Sequence, residues 1–322
     1  MPGRQGRHLH ARGALSSRVA LACLLALAFH AAPARAQAQP QGMSFEDPYD
    51  LPNAPRPPTL PELTHAEIEG TSETTAGALI PPPGGVWTHA YVERLDAEMP
   101  LALRRWYVGA SYEAAAGGTA NGYQVIGGNL AIHGRTLWAT RTGLAFGGGM
   151  ELVLPTATFD PNGRGGVVAL NAATLRPWDV TYFIPGIIGV RPFVDLRVLK
   201  EPFIFQFRQG LDGTVSVTAL GDRRLYAHTG FYFGWAATQH LAVGLEAFEE
   251  YAIDVPNVRD GAREAIVISP NLRITLPWVQ PAISFFTNVG PPLYGANENI
   301  WGIRFAFTVV YDPNAMLGVR GK

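Results

Sequence analysis

An all-β fold, an antiparallel transmembrane β-barrel of about ten strands with twelve as the alternative count, is what three observations predict for this chain. Apolar residues recur at every second position over long segments, aromatic rings gather at the ends of those segments, and the first 36 residues read as an export signal. Each element follows in chain order.

The opening 36 residues contain Arg4, Arg7, Arg12, Arg18 and Arg35, no acid, and an apolar run from Val19 to Phe29 that precedes Ala34-Arg35-Ala36. This is the pattern of a secretory signal peptide cut near Gln37. An apolar run this short does not span a hydrocarbon core of roughly 30 Å, and no later segment supplies the apolar length a membrane helix needs. The single cysteine, Cys23, lies inside the signal, so the mature chain is expected to form neither disulfides nor thiolate metal sites. Five of the 25 basic residues and none of the 26 acidic ones belong to the signal. The remainder therefore has 20 basic against 26 acidic side chains, a formal charge of −6. That balance gives no electrostatic reason to bind nucleic acid.

Residues 37–99 are assigned to a periplasmic tail or linker. Their first part, to about residue 85, is rich in proline, as in Pro55-Arg56-Pro57-Pro58 and Pro81-Pro82-Pro83, and shows no hydrophobic period. The barrel is assigned to residues 100–312, followed by a C-terminal tail over 313–322.

The alternation is clearest at the end of the barrel. Trp301, Ile303, Phe305, Phe307, Val309 and Tyr311 share one face, against Gly302, Arg304, Ala306 and Thr308 on the other. Ile266, Ile268, Leu272, Ile274 and Leu276 oppose Ser269, Asn271 and Arg273 in the same way. So do Leu225, Phe231, Phe233 and Trp235 against Arg224 and His228. Soluble sandwiches use strands of about 5 or 6 residues, whereas a tilted strand that crosses a bilayer needs about 9 to 11 plus its ends. These segments have the membrane length, which sets the barrel above the alternative, a soluble periplasmic β-sandwich that binds a ligand. Trp106, Trp138, Trp235, Tyr251, Trp278, Trp301 and Tyr311 fall at segment ends, where amphipathic rings form girdles at headgroup depth.

Ten strands are predicted near 103–115, 121–136, 139–155, 190–199, 203–219, 223–236, 239–252, 263–277, 279–289 and 299–311. Their connections are tight at 200–202, 237–238 and 277–279 and long at 156–189 and 253–262, the alternation of periplasmic turns and outer loops. The strand 203–219 keeps one parity across Gly210 and Gly213. Splitting it and adding residues 86–93 would give twelve.

With these residues in view, the chain resembles uncharacterised, transporter-like and porin-like outer-membrane β-barrels of Gram-negative bacteria. Gly302, Phe305 and Phe307 ahead of Tyr311 are similar to the terminal signal such barrels present to the barrel-assembly machinery. The resemblance covers roughly residues 100 to 311 and implies a class rather than a substrate. Its expected partners are outer-membrane lipid, the assembly machinery and small solutes, with no nucleic acid and no cofactor.

The polar residues predicted to point inward are Arg105, Glu113, His133, Glu151, Asp195, Arg197, Gln206, Arg208, His228, Glu246, Glu250, Arg273 and Arg304. Their mixed signs predict mutual pairing in a narrow interior, or a polar constriction that selects small solutes. No Gly-x-Ser-x-Gly elbow and no local His-based metal motif is present, and Gly147-Gly148-Gly149 has no following helix to complete a phosphate loop. The chain is therefore expected not to be an enzyme, a rim-located hydrolase being the remote alternative. The long connection 156–189 carries an apolar stretch after Gly166, which predicts a short helix folded into the barrel mouth, with a surface loop as the other outcome.

Overall fold

Twelve antiparallel strands close on themselves. The computed structural model describes residues 68–311, apart from 82, 84, 86, 102–104, 120, 121, 219–221, 239, 257, 259, 277 and 294–298. The signal at 1–36, the first part of the tail and the segment 313–322 lie outside the described residues. The strands are β1 (Ile68–Ile80), β2 (Thr88–Pro100), β3 (Trp106–Thr119), β4 (Gly122–Ala139), β5 (Leu144–Leu154) and β6 (Ile187–Lys200). They continue with β7 (Phe203–Ser216), β8 (Arg223–Thr238), β9 (Leu241–Asp254), β10 (Glu264–Ile274), β11 (Val279–Asn288) and β12 (Asn299–Tyr311). Each strand pairs with its sequence neighbours, and β1 pairs with β12 from Ile68↔Tyr311 to Ile80↔Asn299. Closure leaves no sheet edge and excludes a two-sheet sandwich.

The wall is inverted relative to a soluble protein. On β12, Trp301, Ile303, Phe305, Phe307 and Val309 are exposed, while Arg304 and Thr308 are buried. Apolar outside and polar inside, residue by residue, is the pattern of a strand with lipid on one face and a lumen on the other. Five of the seven predicted girdle residues, Trp106, Trp138, Trp235, Trp278 and Tyr311, stand at the end with the short turns. Tyr251 and Trp301 stand at the opposite end, and all seven are exposed.

The turns 201–202 and 140–143 are on the short side, together with the first and last strand ends. The connection between β5 and β6, residues 155–186, is on the other. The predicted asymmetry therefore holds, with one departure: β3 and β4 are joined on the long side by residues 120 and 121 alone.

The count is the twelve-strand alternative, and half of its route holds: the added segment 86–93 falls at the start of β2, but the other extra strand lies upstream of it. β7 runs unbroken across Gly210 and Gly213, so the strand is not split. The additional pair is β1 and β2, which occupy residues 68–100, most of them assigned to the tail by sequence. The reason is physical. The outward positions of β1 are Ile68, Gly70, Ser72, Thr74, Ala76, Ala78 and Ile80, too small or polar to produce a hydropathy period. β2 interrupts its outward row of Tyr91, Leu95 and Met99 with Glu93, whose carboxylate accepts hydrogen bonds from Ser72 Oγ (2.7 Å) and Thr74 Oγ1 (2.5 Å). Alternation is present in these strands, but in backbone geometry rather than in hydrophobicity.

Candidate functional site

A barrel of about eight strands is narrow enough for its own side chains to fill, and twelve make a wider bore. Here residues 155–186 enter that bore. After Leu154 the chain turns through Asp160-Pro161-Asn162 and forms α1 (Arg164–Leu175), then a 3-10 helix over Pro177–Phe183. Pro177 ends α1, because the residue before a proline is pushed out of the helical region. Arg176 accordingly adopts φ −128°, ψ 72°. The predicted helix in the mouth is thus present, and it continues into a second element that sits deeper. Every residue from Asn171 to Phe183 is buried.

The wall makes room for this plug. A Cβ on Gly77 of β1 would stand 2.2 Å from Leu175 Cδ1, and one on Gly128 of β4 would stand 2.8 Å from the Tyr182 carbonyl oxygen. Asn129 of β4 donates from Nδ2 to the carbonyls of Thr181 (3.0 Å) and Ile184 (2.8 Å), and its Oδ1 accepts from Ala157 N–H (3.0 Å). Backbone polar groups of a buried loop need such partners, and one wall side chain supplies three. On the far side, the Trp178 ring stacks on Phe248 of β9 at 4.6 Å and meets Phe286 of β11 edge-on.

Charge holds the plug at its centre. The Arg176 guanidinium pairs with Glu73 of β1 and with Asp179 at 2.5 Å, lies 3.7 Å from Glu113 of β3, and donates to Thr75 Oγ1 at 2.7 Å. Arg94 of β2 reaches Asp179 at 2.9 Å and Glu113 at 3.4 Å. Arg191 of β6 donates to the Trp178 carbonyl at 2.8 Å while it pairs with Glu151 at 2.6 Å and Asp212 at 2.9 Å. Burial alone would raise the Asp179 carboxyl. Arg176, Arg94 and Arg191 outweigh that effect and hold it at about 2. Arg176 moves upward: burial opposes its charge, but Glu73, Asp179 and Glu113 more than compensate.

Elsewhere the wall pairs with itself. Arg208 bridges Asp195 through two bonds of 2.7 and 2.8 Å, Arg304 pairs with Glu246 and donates to Ser284 Oγ at 2.9 Å, and Arg135 bridges Glu98 beside His133. Gln206, Arg197 and Arg273 are buried on the inner face, with Arg273 Nη1 3.5 Å from Gln280 Oε1. His228 accompanies Asp212 at 2.7 Å, and Glu250 is buried nearby. The bore is not solid: the inward side chains of Arg94 and Asp96 remain 21% and 27% exposed, so space open to solvent persists beside the plug.

Twelve of the thirteen predicted inward residues thus lie on the inner face. Arg105 does not. It is an exposed residue in the turn before β3, because the strand begins only at Trp106. Sequence reasoning missed Glu73, Arg94 and Glu98, which belong to β1 and β2, and Arg176 and Asp179, which belong to the plug. Arg135, Arg191 and Asp212 were within reach, since they share parity with His133, Asp195 and Gln206 on their own strands.

No protein-family model matches the sequence, and no curated protein matches it either. In structure the chain is similar to an outer membrane channel from Pseudomonas putida F1, with a TM-score of 0.61 at 10% identity over 80% of this chain and 99% of that one. Lower scores are found for the NanC porin (0.48 at 12% identity, over 74% of this chain and 98% of that one) and for the beta domain of the Bordetella autotransporter Brka (0.43 at 11%, over 76% and 100%). The chain has the closed antiparallel barrel fold that the outer membrane channel also has.

Proposed function

We propose that this chain is a non-enzymatic channel for small polar solutes, resident in the outer membrane after loss of its signal peptide, and that the segment 155–186 is its gate. One observation carries the reading: the bore is narrowed by an inserted segment held through ion pairs, with solvent-open space left beside it, rather than filled by side chains of the wall. A barrel with a purely structural role has no need of a polar bore wider than its side chains fill. A constriction loop on a mixed-sign lining selects by diameter and charge. The exposed apolar belt takes lipid as its partner, and β12 is the strand offered to the assembly machinery.

The test is single-channel recording in planar bilayers with the intact chain and with a variant in which residues 160–183 are replaced by a short Gly-Ser linker. The intact chain is expected to show small or intermittent conductance, and the variant a larger, steady one. Heat-modifiable migration in detergent gels establishes that the variant has folded. A folded variant that conducts no more than the intact chain overturns the channel reading and leaves the structural envelope role in its place.

A further inference from the structure

Among the described residues, one group of three His, Cys or carboxylate donors comes together: Asp212 of β7, His228 of β8 and Glu250 of β9, with ligand atoms all within 4.8 Å of one another. They meet because three adjacent strands are in register. His228 stands directly across from Glu250, and Asp212 lies two positions beyond Gly210, the residue opposite His228. All three point into the outer half of the bore. The His228 ring packs against Gly210, where a Cβ would stand 2.3 Å from its Cε1 and Nε2 atoms.

Glu250 is 1% exposed, and neither carboxylate oxygen has a hydrogen-bond partner among the described residues. A buried carboxylate without a partner costs several kcal/mol, so such a group calls for a proton or a cation. The adjacent cation, Arg191, is already shared between Asp212, Glu151 and the plug carbonyl of Trp178. Two carboxylates and one imidazole then face a single, divided guanidinium.

We propose that Asp212, His228 and Glu250 form a divalent transition-metal site, of the kind that takes Zn2+, on the lumen wall behind the plug. One imidazole and two carboxylates is a ligand set that suits zinc, whereas magnesium and calcium prefer oxygen-only shells with more donors. Tetrahedral ligands of zinc stand roughly 3.3 Å apart, so the trio, within 4.8 Å, must draw closer together to close on the ion. Three protein ligands leave a fourth position open to water in the bore. A metal on Asp212 also competes with Arg191, which links occupancy to one of the plug's anchors. Binding requires only the folded barrel, so it stands or falls apart from the channel reading.

The experiment is isothermal titration of ZnCl2 into the full mature chain in detergent, with MgCl2 and CaCl2 as comparisons. Saturable uptake of one Zn2+ per chain is expected, lost in Glu250→Gln and in His228→Gln and retained in His133→Gln, which removes the other lumen histidine that faces a carboxylate. Glu250→Gln is nearly isosteric, so it remains informative should His228→Gln fail to fold, as judged by heat-modifiable migration. Absence of saturable Zn2+ binding by the folded chain overturns the proposal, and so does binding that survives Glu250→Gln.

Discussion

The lumen wall has two regions that use charge differently. On β1 to β3, Glu73, Arg94 and Glu113 meet Arg176 and Asp179, groups carried by the inserted segment. On β2 with β4, and on β6 with β7, Glu98 meets Arg135 and Asp195 meets Arg208, so both members of each pair belong to the wall. Either kind of pair satisfies buried charge. Only the first ties the inserted segment to the wall, so under the proposed gating it is the kind of pair that opening would break, with entering water solvating the groups left behind.

The largest effects should come from breaking one pair of each kind. Arg176→Ala leaves Glu73, Asp179 and Glu113 buried without their central cation, a loss of about 3–5 kcal/mol. That loss should fall on plug docking: protease should cut within 164–183 while the barrel keeps its heat-modifiable migration. Arg135→Ala removes a wall pair at a similar cost of about 3–5 kcal/mol. It should lower the unfolding midpoint in denaturant and leave the plug protected. If both variants release the plug, or neither does, the distinction between the two regions fails.

The lipid face gives the next largest effect. Phe305→Arg places charge on the exposed side of β12 and should cost about 2–4 kcal/mol in folding into bilayers. Thr308→Arg, on the lumen side of the same strand, should cost clearly less. Equal penalties would mean that the two faces are not distinguished by lipid.

The smallest effect is the acid response of the plug. The Asp179 carboxyl titrates at about 2 in the docked plug against an ordinary 3.8. Its lowered value favours docking at every pH above about 4, by about 2 kcal/mol, and that contribution is lost as pH falls through about 2. Pepsin, which works in this range, should therefore cut the plug near pH 2 and spare it near pH 4. Asp179→Asn should remove the difference. Protection that persists unchanged to pH 2 would assign plug retention to the Trp178 and Asn129 contacts instead.

Legibility in the sequence followed side-chain size. β8, β10 and β12 carry large outward residues such as Phe231, Ile268 and Phe305, and their predicted ranges agree with the observed strands to within a few residues. β1 has Gly70, Ser72, Thr74 and Ala76 in the same role, which removes the hydropathy signal although the backbone pairs from end to end with β2 and β12. Parity likewise placed Asp195, Arg208, Glu246 and Arg304 on the inner face, but it could not say which charges meet.

By itself, the sequence determined that strands of membrane length alternate apolar and polar faces and that aromatic rings cap them, and it left the mid-chain connection open between a helix and a surface loop. Those properties are local, set by residues a few positions apart. Only the tertiary structure decided that β1 closes the barrel against β12, that Arg176 finds Glu73 across 103 positions of sequence, and that Asp212, His228 and Glu250 converge. Such meetings depend on the register of strands far apart in the chain, and register is set by closure of the whole barrel rather than by any segment of it.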